Sequence, residues 1–170
     1  MTTRDRTRHQ GQDPGGQVPP HALPATTHSY LSRAAASLQE AVTTPDVPAR
    51  YAAAHVAALR AAAALLAARA RPTPARGRQQ RNAWVLLADV APELEEWARF
   101  FAAGAAKRAA AEAGSTRAVT EREADDLVRD ADRFLAVVEQ SLGLVPHPSA
   151  CAVRSPVAHG GASGARAGVA

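Results

Sequence analysis

The longest uninterrupted helical pattern in the sequence runs from Arg50 to Arg71 and contains neither glycine nor proline. Within it, residues recur at steps of four, four, three and four: Tyr51, His55, Leu59, Ala62 and Leu66. This spacing places them on one face of a helix, and Asp46 is in position to cap its start. At about 1.5 Å per residue the helix would span roughly 33 Å, the height of a small domain. Such a helix needs others to cover it, so the sequence predicts a helical bundle.

Further helical segments lie on either side of this central helix. A first helix is expected to begin near Thr26 or Thr27, either of which can cap it. Asn82 can cap a short helix that follows the central one, and Pro92 can start the next long helix at once. Gly104 lies in the middle of that long helix, where it either allows a close helix crossing or has no role.

The last helix has the clearest start. Thr120 begins a capping box, with a glutamate three residues later. The spacing of Asp125 with Arg129, and of Asp130 with Arg133, predicts exposed ion pairs along this helix.

These segments predict an all-α, antiparallel bundle of four long helices and one short helix. Short connections favour antiparallel neighbours. We expect residues 1–24 and 145–170 to be disordered tails, because they contain many glycines and prolines and form no apolar stripe. The bundle would then occupy residues 25–144.

The charge of the chain is basic, with a formal net charge of +4 and a pI of about 10.2. Lys107 is its only lysine, and with the abundant Ala, Gly and Pro this is typical of a GC-rich genome, so global charge is a weak argument for nucleic-acid binding. The loop after the central helix is a stronger one, because residues 69–81 contain five arginines and no acid. From it we predict a nucleic-acid contact at Arg71, Arg76, Arg78 and Arg81.

Several classes of function find no support in the sequence. A single cysteine, Cys151, excludes a disulfide framework and a cysteine-based zinc site. No phosphate-binding glycine loop and no paired metal-binding histidines occur, so we expect no metal and no cofactor. The N-terminus has no apolar region of a signal peptide, and no apolar run reaches membrane length. We expect a soluble, cytoplasmic protein.

The order of the segments resembles a known family. A helix with YAAAHVAALRAAAALLAARA, an arginine-rich loop, WVLLADVAPELEEWARFFAAGAAKRAAAEAG and TEREADDLVRDADRFLAVVEQSLGL together resemble an actinobacterial branch of the HEPN (higher eukaryotes and prokaryotes nucleotide-binding) domains. The resemblance covers roughly residues 27–143. It implies a helical bundle that often dimerises. It also implies either a metal-independent RNase or an inactive relative that binds nucleotides, RNA or a protein.

Active members of that family carry an arginine, four to six residues, and then a histidine, a pattern matched here by Arg50 and His55. The resemblance makes them candidate catalytic residues, with His55 as general acid or base and Arg50 stabilising the phosphate in the transition state. The alternative is that His55 is a half-buried core residue on the Tyr51–Leu59 stripe of the central helix and that Arg50 is exposed at its start. We favour this alternative, because residues five apart are about 140° apart around a helix.

The sequence therefore predicts a homodimeric HEPN-like module that associates with RNA or a nucleotide and has little or no catalytic activity. A protein-interaction bundle that serves as an accessory subunit is the alternative. A metal-independent endoribonuclease is the third possibility.

Overall fold

The structure is a computed structural model that describes residues 23–69 and 82–151. Five α-helices occupy these ranges: α1 (Ala25–Thr43), α2 (Val47–Arg69), α3 (Ala83–Val90), α4 (Glu95–Glu112) and α5 (Glu121–Ser141). A single 3₁₀ turn, Pro92–Leu94, joins α3 to α4, and no strand occurs within the described part of the chain. The all-α bundle of four long helices and one short helix is confirmed.

The central helix α2 packs against all four other helices, whereas α4 and α5 scarcely approach each other. Its inward positions are mostly alanine, and six of these are no more than 2% exposed: Ala54, Ala57, Ala58, Ala61, Ala62 and Ala64. Because alanine adds little volume, neighbouring helices can approach α2 closely. The long pattern that begins at Arg50 therefore forms the centre of the bundle.

Large side chains fill the other half of the core. The ring of Trp84 from α3 stacks on Phe101 of α4, with the centroids 5.2 Å apart. Phe134 of α5 lies 5.1 Å from Phe101 and 5.4 Å from Trp97 between ring centroids. These rings span a gap that the backbones of α4 and α5 leave open, and they fix how far apart the two helices stand.

Three of the predicted helix starts are confirmed. The side chain of Asp46 accepts a hydrogen bond from the backbone N–H of Ala49 at 2.9 Å, and that of Asn82 accepts one from Trp84 at 3.0 Å. Thr120 and Glu123 form both halves of the capping box. Local capping chemistry was sufficient to place these boundaries.

The predicted start of α1 is wrong. The helix follows Pro24, whose carbonyl accepts the N–H of Thr27 at 2.9 Å. Thr27 lies inside the first turn with its side chain fully buried, so it cannot cap from outside the helix. Proline fits this position because its fixed φ suits the entry to a helix.

The C-terminal side of the bundle extends further than the predicted boundary at residue 144. Gly143 ends α5 with a φ of 74°, and residues 145–151 then return along α5 and are hydrogen-bonded to it. Leu23, before the predicted start at residue 25, is also buried. The remaining residues of the two predicted tails lie outside the described residues.

By length and composition alone, α2 is apolar enough to cross a membrane. Half of its most apolar window is buried inside the bundle, however, and a core helix of a water-soluble protein has the same length and composition. The helix therefore gives only weak support for a membrane span.

Candidate functional site

Arg50 lies in the first turn of α2, where its guanidinium group points into the protein. Nε donates to the carbonyl of Thr44 at 3.1 Å and Nη2 donates to the carbonyl of Pro45, also at 3.1 Å. Nη1 forms an ion pair with the carboxylate of Asp125 on α5. Arg50 joins the end of α1 to the start of α5, and it is only 6% exposed. The expectation that Arg50 is exposed is therefore wrong.

This contact also changes the predicted ion pairs of α5. Asp125 pairs with Arg50, and Arg129 pairs instead with Asp126, one turn before it. A rigid buried guanidinium that also binds two carbonyls holds Asp125 better than a flexible exposed arginine on the same helix. The predicted pair of Asp130 with Arg133 is confirmed, at 3.3 Å.

His55 lies five residues further along α2, roughly one and a half turns after Arg50, and is completely buried. Its Nε2 lies 2.8 Å from the backbone carbonyl of Phe101. A carbonyl can only accept, so Nε2 carries the proton and donates it there. The rings of Trp84 and Phe101 present edge-on contacts to the imidazole, with centroids 5.8 and 6.0 Å away. Nδ1 has no hydrogen-bond partner within the described residues.

The surroundings of His55 keep the imidazole neutral. Burial lowers its pKa below the ordinary value of 6.5, and this outweighs the opposing hydrogen bond to the Phe101 carbonyl. The Arg108 guanidinium adds to the lowering. A neutral ring whose N–H is already bonded, and which has no exposed surface, has no path for exchanging a proton with a bound substrate.

Gly104 of α4 explains how His55 is enclosed. A Cβ atom at this position would lie 2.9 Å from the hydroxyl oxygen of Tyr51 and 3.4 Å from Cδ2 of His55. Only a residue without a side chain lets α4 cross α2 this closely. Of the two roles considered for Gly104, the structure therefore supports the close helix crossing.

Arg50 and His55 thus have separate partners. Arg50 bonds to α5 and to the segment between α1 and α2, while His55 bonds to α4 and packs on α3. The structure does not bring the two functional groups together at a common open surface.

The predicted nucleic-acid contacts Arg71, Arg76, Arg78 and Arg81 lie outside the described residues, and this contact remains a prediction. Arg69, just before them, is described. It pairs with the carboxylate of Glu93 and donates to the carbonyl of Ser141 at 2.8 Å. This arginine joins the end of α2 to the 3₁₀ turn before α4 and to the end of α5.

An open groove lies between α4 and α5, and no pattern in the sequence predicted it. It encloses about 430 Å³, with Tyr51 of α2 at its floor and Phe100 of α4 on its wall. Phe100 is 46% exposed, the most exposed aromatic ring among the described residues. No local signal in the sequence shows that α5 stands too far from Phe100 to cover it.

Charged pairs line the rim of this groove. Lys107 of α4 bonds to Glu123 of α5, and this contact, with the hydrogen bonds from Thr120, lowers the pKa of Glu123 to about 2. Asp130 is partly covered, and burial raises its pKa despite its pairing with Arg133. The groove therefore combines an exposed ring with alternating charges, a composition typical of a protein-binding surface.

No group of three or more histidine, cysteine or carboxylate side chains within residues 23–69 and 82–151 is placed to bind a metal ion.

Comparison with known proteins identifies the family to which the chain belongs. A family model described as SAV_6107-like HEPN matches residues 41–139, which is more than half of the chain. No curated protein matches the chain. No solved structure matches it either. The matched residues include all of α2, α3 and α4 and nearly all of α5, together with both Arg50 and His55. The chain belongs to the SAV_6107-like HEPN family.

Proposed function

We propose that this chain is a non-catalytic HEPN module of the cytoplasm that acts by binding a protein at the groove between α4 and α5. The observation that supports the absence of catalysis is the complete burial of His55, with its only N–H bonded to a backbone carbonyl.

Phosphodiester cleavage needs a general base that reaches the attacking hydroxyl and a cation that reaches the phosphate. His55 has no exposed surface, and the donors of Arg50 are directed to Asp125 and to two backbone carbonyls. Either residue would have to break its bonds in the fold before it met a substrate.

The test is incubation of purified full-length protein with end-labelled single-stranded RNA and EDTA. We expect no cleavage by the wild-type chain. Metal-independent cleavage that is lost in both Arg50→Ala and His55→Ala, while an exposed control variant such as His28→Ala retains it, would overturn the proposal.

The groove supports binding of a protein because its one large exposed ring is surrounded by paired charges. The described arginines that a basic cleft would need are instead paired with acids: Arg50 with Asp125, Arg99 with Glu95 and Arg108 with Glu112. A surface of this kind suits a partner with an apolar side chain flanked by charges of both signs.

A second copy of this chain is the partner we propose. Sedimentation equilibrium of the wild-type protein should show a dimer, and Phe100→Glu should convert it to a monomer with unchanged helix content. Val85→Glu is the matched control, because Val85 of α3 is 53% exposed and lies outside the groove. A dimer that survives Phe100→Glu would exclude the groove as its interface.

RNA binding by the loop after α2 is the second candidate, supported by the five arginines and no acid within residues 69–81. Each phosphate that an arginine neutralises releases counterions, so binding to single-stranded RNA should weaken steeply with salt. Replacing Arg76, Arg78 and Arg81 together by alanine should flatten this salt dependence. Absence of binding at low salt, or an unchanged slope, would remove the loop as a contact.

A further inference from the structure

Away from the groove, two carboxylates of α5, Asp132 and Glu139, lie close to the ring of His147 in the segment that follows the helix. Asp132 is 6% exposed, and its carboxylate is bonded by three groups of the segment that follows the helix. Oδ2 accepts the Ser149 hydroxyl at 2.5 Å, and Oδ1 accepts the Ala150 backbone N–H at 3.0 Å. The third contact is from Nε2 of His147, which lies 3.0 Å from Oδ1.

The other nitrogen of the same ring also faces a carboxylate. Nδ1 of His147 lies 2.8 Å from Oε2 of Glu139, an oxygen that also accepts the backbone N–H of His147 at 2.8 Å. A neutral imidazole has one N–H, so one of its nitrogens would turn a lone pair toward a carboxylate oxygen. Only the imidazolium form donates at both positions. The geometry therefore favours a protonated His147.

We propose that residues 145–151 form a pH-controlled strap, which is docked on α5 while His147 is protonated and is released when His147 loses its proton. Gly143, with its positive φ, is the point where the chain turns back, and the strap begins two residues later. The charged groups that face the ring are both on α5, Asp132 and Glu139, and the strap adds the Ser149 hydroxyl and the Ala150 N–H around Asp132.

Release would uncover surface that the strap now protects. Ala150 and Cys151 pack against the hydrophobic core, and Asp132, which accepts hydrogen bonds from the strap, is only 6% exposed. Deprotonation leaves two carboxylates facing a neutral ring, and one of the two ring hydrogen bonds is lost. Docking of the strap is thus coupled to the binding of one proton by His147.

The direction of the pH dependence follows from the shifts. Burial by itself lowers the pKa of His147, but the hydrogen bonds to Glu139 and Asp132 outweigh it and raise the pKa above 6.5. A group whose pKa is raised on docking stabilises the docked state fully when the pH is below its ordinary pKa. This stabilisation is lost as the pH rises through the raised pKa of the docked state. Burial by itself raises the pKa of Asp132, but the hydrogen bonds from Ser149, His147 and Ala150 outweigh it and lower the pKa below 3.8. Asp132 therefore stays ionised and holds the strap until the pH falls to about 3.8 or lower.

Hydrogen exchange of the full-length chain, read by mass spectrometry on peptides covering 145–151, tests the strap. After correction for intrinsic exchange, protection of this segment should fall by up to about tenfold per pH unit between 6.5 and the raised pKa of the docked ring, and then level off. Protection of α2 is the internal reference for global unfolding.

His147→Gln should give low protection that does not change between pH 6 and 9, whereas the exposed control His28→Gln should keep the wild-type profile. Protection of 145–151 that is independent of pH in the wild-type chain would overturn the proposal. A wild-type pH profile in His147→Gln would overturn it as well, even if that variant is less stable.

Discussion

His55 and His147 are both enclosed by the fold, but their environments drive the two rings to opposite charge states. His55 is fully buried among aromatic rings and donates to one backbone carbonyl, whereas the side chain of His147 is 20% exposed and lies between two carboxylates. Burial alone lowers the pKa of both rings. At His147 the carboxylates reverse this effect, and at His55 the single carbonyl does not. The partners of a buried histidine therefore decide its charge.

The roles of the two residues differ accordingly. His55 is neutral and helps to seat α4 on α2 at the glycine crossing, so it contributes to the core. His147 has a pKa raised by two carboxylates and holds a terminal segment on the outside of α5. The histidine that matches the family pattern is the one that is inaccessible, and the accessible one lies in a stretch that the sequence analysis treated as a tail.

The largest effect is expected from His55→Ala. It removes a fully buried ring that touches Trp84 and Phe101, so the free energy of unfolding should fall by about 3 kcal/mol. Urea denaturation measures this, with His28→Ala as an exposed control. A loss below about 1 kcal/mol would show that His55 is not a packed core residue.

Arg50→Ala should have the next largest effect. The free energy of unfolding should fall by about 2 kcal/mol, because Asp125 and the carbonyls of Thr44 and Pro45 lose their hydrogen-bond donor. The partial exposure of Asp125 keeps the loss below that of a fully buried pair. A guanidinium keeps its charge at all accessible pH, so this loss should not change between pH 6 and 9, in contrast to the strap. Denaturation at several pH values tests this, and a loss that vanishes in 0.5 M salt would mean the pair acts only as a surface contact.

The pH dependence of stability should separate the two histidines. His55 has a lowered pKa, so its contribution is complete above 6.5 and is lost as pH falls below that value, at up to about 1.4 kcal/mol per pH unit. The contribution of His147 is lost in the opposite direction, as pH rises. Denaturation from pH 5 to 8 should show the acid-side slope in the wild-type chain and not in His55→Gln. The same acid slope in both would refute a lowered pKa at His55.

The smallest effect is expected from His147→Ala on global unfolding, below about 1 kcal/mol, because the ring is part of a surface segment and not of the core. Thermal denaturation at pH 6 is the measurement. A loss as large as that of His55→Ala would mean that the strap is an integral part of the bundle and does not open independently.

Much of the fold could be predicted because its signals are local. Asp46, Asn82 and Thr120 cap helices through atoms no more than three residues away, and the glycines after α4 and α5 adopt the positive φ that a terminating residue needs. The candidate site was less predictable. Arg50 and His55 are five residues apart in sequence, but their partners lie up to 75 residues away.

The sequence by itself determined the helical segments, most of their ends and the resemblance to HEPN domains, because helix periodicity and capping depend on neighbours within about four residues. Only the tertiary structure decided which charges pair and which rings are covered. Asp125 has a cation available on its own helix and another on α2, and the packing of α2 selects Arg50. Phe100 remains exposed because aromatic rings hold α4 and α5 apart, and the pKa of His147 is raised because the chain folds back onto two carboxylates. These outcomes depend on the distances between helices, which cannot be predicted from the periodicity along a single helix.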